Sequence, residues 1–328
     1  MQAGLAHGEV LAALLAVGIV SAAVATAGLA AAAELPASDT ALAGMNADAA
    51  GGPCGLAASV ALGACRSGAE SDFLLAQGIC ANVADRAAHD GCLGAARDER
   101  RQAKSLCTAQ FAARQRLCAA LGPAAYDPRI DPRDFITAIV NPFFPLRPGT
   151  IFVYRQPHGT DTVTVTRRTR RIAGVECVVV HDRSVVDGAV DEDTLDYYAQ
   201  DRAGNVWYFG EDSQTLEEGR VVGVEGSWRA GVDGARPGII MPANPAVGRT
   251  DRQEFALGTA EDAAAIEGLD ARVSVPFGVF RNALRTRAFS PLEPDALETK
   301  FYARGIGLVL TIDQVTHERE ELIRIEHR

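Results

Sequence analysis

Residues 192–211 read EDTLDYYAQDRAGNVWYFGE, two strand-like runs about a turn. Thr194 to Gln200 and Asn205 to Phe209 carry the aromatic and β-branched residues that suit a pleated sheet. Asp201-Arg202-Ala203-Gly204 between them supplies a glycine for the positive φ of a hairpin turn. Alternation with period two then places Glu192, Thr194, Asp196, Tyr198 and Gln200 on one face of the first strand. This hairpin marks the region around it as antiparallel β.

The same texture extends in both directions. Strand signals precede it at Ile151–Arg155, Thr162–Thr166 and Cys177–His181, and a further one, Val221–Val224, follows. They resume at Ala271–Phe277, Leu284–Phe289, Thr299–Ala303, Ile306–Ile312 and in the Val315–Ile325 region. Asn141-Pro142-Phe143-Phe144-Pro145 reads as an extended plug, and Ala260–Leu269 is predicted to form a short helix with Glu261 and Asp262 in its first turn. The Gly/Pro-rich stretch Ser227–Gly248, which includes Trp228, exceeds ordinary loop length and reads as a lid. Consecutive antiparallel strands, about ten of them, predict a curved meander forming a half-barrel or open barrel, with a sandwich as the alternative.

Upstream, six of the seven cysteines are Cys54, Cys65, Cys80, Cys92, Cys107 and Cys118, at successive spacings of 11, 15, 12, 15 and 11. The series is palindromic, so 54 with 118, 65 with 107 and 80 with 92 all sum to 172. Two antiparallel helices rise equally per residue, so they oppose positions whose numbers have a constant sum. Steps of 11 and 15 also return to within about 20° and 60° of one helix face. The spacing predicts a helical hairpin clamped by Cys54–Cys118, Cys65–Cys107 and Cys80–Cys92, with a turn centred on residue 86 and Asp90 as the second N-cap. Ser67-Gly68 is its weak point, and Leu74, Leu75, Ile79, Leu106, Phe111 and Leu117 are its expected core. The alternative, a set of metal thiolates, lacks any Cys-x-x-Cys pair, and His89 is the one histidine nearby. Cys177, in Val175-Glu176-Cys177-Val178-Val179-Val180, reads as a buried thiol.

Disulfides need an oxidising compartment, and the N-terminus is consistent with one. Val10–Ala33 carries no charge and ends in Ala31-Ala32-Ala33, which suits a signal peptide spanning 1–33; a retained anchor is the alternative. Residues 34–53 read as a flexible linker, 54–127 as the Cys-rich hairpin and 128–328 as the β domain, an α+β chain overall. Secretion or a periplasmic location follows, with membrane contact only if the N-terminal segment is retained. The net charge of −10 argues against a nucleic-acid partner.

The 192–211 block, together with Lys300-Phe301-Tyr302-Ala303-Arg304-Gly305-Ile306-Gly307-Leu308-Val309, resembles segments of exported bacterial proteins of unknown function that carry a lipoprotein-like antiparallel β half-barrel. The resemblance runs from Asn141 to Ile312. It implies a fold and no activity, and it transfers no site residues.

Two groups of residues carry candidate chemistry. Glu192 and Asp196, with Glu211 ending the next strand and His181 the previous one, form a set suited to a hard cation or to paired acid and base groups. A solvated sheet face is the alternative. Tyr197, Tyr198, Trp207 and the loop's Trp228 are candidates to line an apolar cavity, with core packing as the alternative. No Gly-x-Ser-x-Gly, His-Glu-x-x-His or Walker motif is present, so the reading leans away from an enzyme, and no cofactor is indicated. The leading expectation is an exported binding module holding a small apolar or amphipathic ligand in a curved sheet. A hydrolase or metal-binding protein using the 181–211 acidic cluster is one alternative, and an envelope scaffold that docks a partner protein is another.

Overall fold

The computed structural model describes residues 51–328; the expected signal peptide and nearly all of the expected linker lie outside the described residues. Helices α1 (Gly52–Cys80) and α2 (Arg86–Leu121) form the hairpin, joined by disulfides Cys54–Cys118, Cys65–Cys107 and Cys80–Cys92. α1 runs unbroken through Ser67-Gly68. Asp85, not Asp90, caps α2, its carboxylate accepting from the Ala88 N–H at 2.8 Å. Cystines holding paired Cα atoms at 5.7–5.8 Å draw the two backbones close. The buried side chains of the hairpin are mostly small: Ala58, Ala61 and Ala69 from α1, Ala96 and Ala113 from α2, with Phe73 and Leu117. Of the expected core Leu117 is buried, whereas Leu74, Leu75 and Ile79 are 60–68% exposed and Leu106 also faces solvent. Among the described residues no helix is long and apolar enough to cross a membrane.

Sixteen strands follow: β1 (Phe135–Ile136), β2 (Thr150–Gln156), β3 (Gly159–Ile172), β4 (Val175–Val186), β5 (Ala189–Asp201), β6 (Val206–Glu217), β7 (Arg220–Gly223) and β8 (Trp228–Arg229); then β9 (Arg236–Met241), β10 (Thr250–Arg252), β11 (Glu254–Phe255), β12 (Ala263–Val275), β13 (Gly278–Phe289), β14 (Leu297–Ala303), β15 (Gly307–Asp313) and β16 (Arg319–His327). The sheet order is β10-β12-β13-β14-β15-β16-β2-β3-β4-β5-β6-β9-β11, every pairing antiparallel, with β1 added to β5 and both β7 and β8 to β6. The two ends of this path, β10 and β11, are separated in sequence by Gln253 alone. One short segment therefore bridges both edges, and the sheet is nearly closed into a barrel.

The expected helix at Ala260–Leu269 is instead the start of β12. Ala263, Ala264 and Ala265 pair with β10 on one side and, respectively, with Phe289, Ala288 and Arg287 of β13 on the other. Alanine favours a helix by a few tenths of a kcal/mol per residue, about 0.5, and two flanking ladders outweigh that. Glu261, just before β12, is 1% exposed and receives both Nε and Nη2 of Arg114 from α2, at 2.8 and 2.7 Å. That buried pair, with Gln110 donating to the Leu292 carbonyl at 2.9 Å, docks the hairpin on the barrel.

Two cores result. The inner one includes Phe152, Tyr154, Val165, Val178, Val180, Ile266, Leu284, Tyr302, Val309 and Leu322, together with Ile139, Phe143 and Leu146. The outer one lies on the far face of β4–β6 and holds Ile172, Cys177, Val179, Tyr197, Phe209 and Trp228.

Candidate functional site

The barrel interior contains a cavity of about 470 Å³. Its chemistry follows from where each strand begins. The β2–β3, β4–β5 and β15–β16 turns lie at one end, here the mouth, and inward residues alternate from there. β5 presents Glu192, Thr194, Asp196 and Tyr198 in that order; β4 presents Val186, Ser184, Asp182 and Val180; β3 presents Asp161 and then Val163. Gln156, Tyr154 and Phe152 of β2 and Glu298, Lys300 and Tyr302 of β14 repeat the sequence, and Glu320 stands at the mouth end of β16. Apart from Val186 at the mouth end of β4, each of these walls is polar toward the mouth and apolar toward the floor. Glu192 to Tyr198 spans six residues, so the depth along a tilted strand is about 15 Å.

The floor is the plug, an expectation that the structure meets by placement. The amide oxygen of Gln200, the last inward residue of β5, accepts from the Val140 and Asn141 N–H groups, both at 2.8 Å. Asn141 in turn donates to the carbonyls of Gly204 and Pro242. This fixes Phe144, Pro145 and Leu146 across the barrel end, with the Phe144 ring edge-on to Tyr198 at 5.3 Å.

A bulge aims the acidic wall. Asp196 pairs with Glu211 and Tyr198 with Tyr208, so Phe209 and Gly210 together oppose Tyr197. Gly210 has φ 135°, and a Cβ there would lie 2.2 Å from the Trp228 carbonyl oxygen. With the extra residue accommodated, both Tyr208 and Glu211 lie opposite inward residues of β5. The Tyr208 hydroxyl donates to Asp196 at 2.6 Å, and its ring stacks on Tyr198 at 4.8 Å.

Burial dominates the electrostatics. Desolvation, then the Asp182 charge, pushes Asp161 up to about 11. The same two causes push Asp196 up to about 8 against the Tyr208 hydrogen bond. Glu211 is held well above the usual carboxylate range by burial and then by Glu254 and Asp196. Glu192 is raised by burial despite hydrogen bonds from Thr194 and Ser213, and Glu320 is raised by burial despite one from Gln156. Lys300 is raised mainly by Glu298, whose carboxylate lies 2.9 Å from its ammonium.

The structure brings together three of the four residues proposed for an acidic site. Glu192, Asp196 and Glu211 line the cavity. His181 does not join them: it pairs with Leu195 across the β4–β5 ladder, on the outer face, and its Nε2 meets Asp193 at 2.8 Å. Among the described residues no group of three or more His, Cys, Asp or Glu is arranged to hold a metal ion. Of the four aromatic candidates, Tyr198 lines the cavity and the others do not. Tyr197 is buried on the outer face with its hydroxyl on Asp212, Trp207 donates to Asp201, and Trp228 donates to Glu254. From the expected lid, Ile240 contributes to the wall.

Sequence reasoning missed Asp161, Asp182, Lys300, Thr311 and Glu320. A signal was available. On each of β3, β4 and β5 a carboxylate replaces the apolar residue expected on the inner face, always toward the mouth.

No protein-family model matches the chain, and no curated protein matches it significantly in sequence. One solved structure is similar, described as "a putative lipoprotein from Parabacteroides distasonis ATCC 8503". It is 11% identical, covers 56% of this chain and 98% of its own, and has a TM-score of 0.32. A likeness this distant adds nothing to the reading of the site.

Proposed function

We propose that this protein is an exported binding module whose barrel holds one small amphipathic molecule, apolar end on the plug and polar end at the mouth. The observation that carries the reading is the polarity gradient, repeated on five neighbouring or facing strands around a cavity of about 470 Å³. That volume lies within the usual range for small-molecule sites, roughly 300–1,000 Å³. The three disulfides support residence in an oxidising compartment.

The test uses N-phenyl-1-naphthylamine, a neutral apolar probe that brightens on leaving water. Saturable enhancement is expected, and Ser184→Trp, which fills the cavity from its wall, should abolish it while leaving the melting temperature within a few degrees. Enhancement that persists in a folded Ser184→Trp protein places the probe elsewhere and refutes the assignment.

A further inference from the structure

We infer that the molecule held in the barrel carries a cationic head, an organic ammonium on an apolar chain, with the ammonium seated among Asp161, Asp182 and Asp196. This rests on the binding-module reading and specifies its ligand. Ten carboxylates line or rim the cavity against two cations, Lys300 and Arg319. Both cations already have partners: Lys300 with Glu298, and Arg319 with Glu321, each at 2.9 Å. Asp161, Asp182, Glu192 and Asp196 form no ion pair among the described residues.

A second observation points to a missing ligand. Asp161 is 7% exposed and Thr311 5%, both line the cavity, and Asp161 Oδ1 and Thr311 Oγ1 have no hydrogen-bond partner. Buried acceptors left unpaired cost free energy, so folded proteins rarely keep them. An ammonium N–H supplies a donor at that point, and its positive charge favours release of the protons that burial keeps on Asp161 and Asp196. Below it, Tyr198, Tyr302, Phe152 and Leu308 offer an apolar slot for the chain. A bare metal ion would leave that slot unused and finds no ligand cluster among the described residues. An anionic head would meet ten carboxylates and two cations already paired with Glu298 and Glu321.

Calorimetric titration of the purified protein with decylammonium, 1-decanol and decanoate at neutral pH decides the matter, because the three share one chain. Decylammonium should bind with one-to-one stoichiometry at least about tenfold more tightly than decanol, with decanoate weakest. Asp161→Asn combined with Asp182→Asn should cost decylammonium about tenfold and leave decanol within about twofold. Equal affinity for decanol and decylammonium, or indifference of decylammonium to the amide variant, overturns the cationic head while the cavity reading stands. Failure of all three to bind overturns both.

Discussion

Asp161 and Asp196 are the residues on which the account turns, and their protonation has a measurable consequence. In the folded protein Asp196 titrates at about 8 and Asp161 at about 11, against about 4 for an unfolded aspartate. The native state therefore retains protons that the unfolded chain has released. Stability from this source is full below about pH 4 and declines as pH rises toward the folded value of Asp196. The groups facing Asp196 are Asp182 from β4, Glu192 on its own strand, and Tyr208 and Glu211 from β6; none is basic. Carboxylates held low by partners, such as Asp212 and Glu321, lose their contribution only under more acidic conditions. The melting temperature of the empty protein should thus fall between pH 5 and pH 8, and Asp196→Asn should flatten that fall. A melting temperature that climbs across the same interval would contradict the assignment. Cys177 behaves in the opposite way, as an inert group. Its thiol is fully buried and pushed up to about 12, mainly by desolvation. Native protein should leave Ellman's reagent colourless, and one thiol per chain should react once guanidinium unfolds it.

Among the elements, the hairpin and its disulfide pairing were legible. Cysteine spacing encodes pairing because helical rise is constant, and the three bonds form as the constant sum requires. Its core was only partly legible: Leu117 is buried as expected, but apolar content also suggested Leu74 and Ile79, whereas close-drawn backbones admit alanine. The bonds close loops with sequence separations of 64, 42 and 12. Because Cys65–Cys107 leaves only two 11-residue arms inside the outer loop, replacing Cys54 and Cys118 by alanine should cost about 0.5 kcal/mol more than replacing Cys80 and Cys92, from loop entropy alone. Urea unfolding of the two variants measures the difference, and equal losses would remove the entropic explanation. The hairpin-to-barrel joint makes a sharper demand. Glu261→Ala leaves the Arg114 guanidinium buried without its partner and should cost about 3–5 kcal/mol. Replacing both by well-packed apolar residues, Arg114→Met with Glu261→Leu, should recover most of that. β12 was misread because alternation within Ala260–Leu269 is weak and alanine-rich; pairing on both edges decides its state. The bulge at Gly210 was also hidden, because a two-for-one register shift leaves no trace in a period-two pattern.

At the scale of the whole molecule, the curved antiparallel sheet was readable from strand signals, and its closure was not. Closure comes from β10 and β11 meeting through Gln253, two strands too short to announce themselves. The site was half legible for a related reason. Alternation grouped Glu192, Asp196 and Tyr198 correctly, yet β5 is buried on both faces, so its own pattern did not mark which face enclosed the cavity; only the matching carboxylates of β3 and β4 did. Tyr197, Trp207 and Trp228 therefore looked equivalent to Tyr198 and serve the outer face instead. The central claim is that this barrel is built around a bound amphiphile. Native mass spectrometry of the protein purified from its own source tests it most directly. A one-to-one noncovalent adduct of small-molecule mass is expected, and it should be lost in Ser184→Trp. A bare polypeptide mass for the unaltered protein, or an adduct that survives unchanged in the filled-cavity variant, would contradict it.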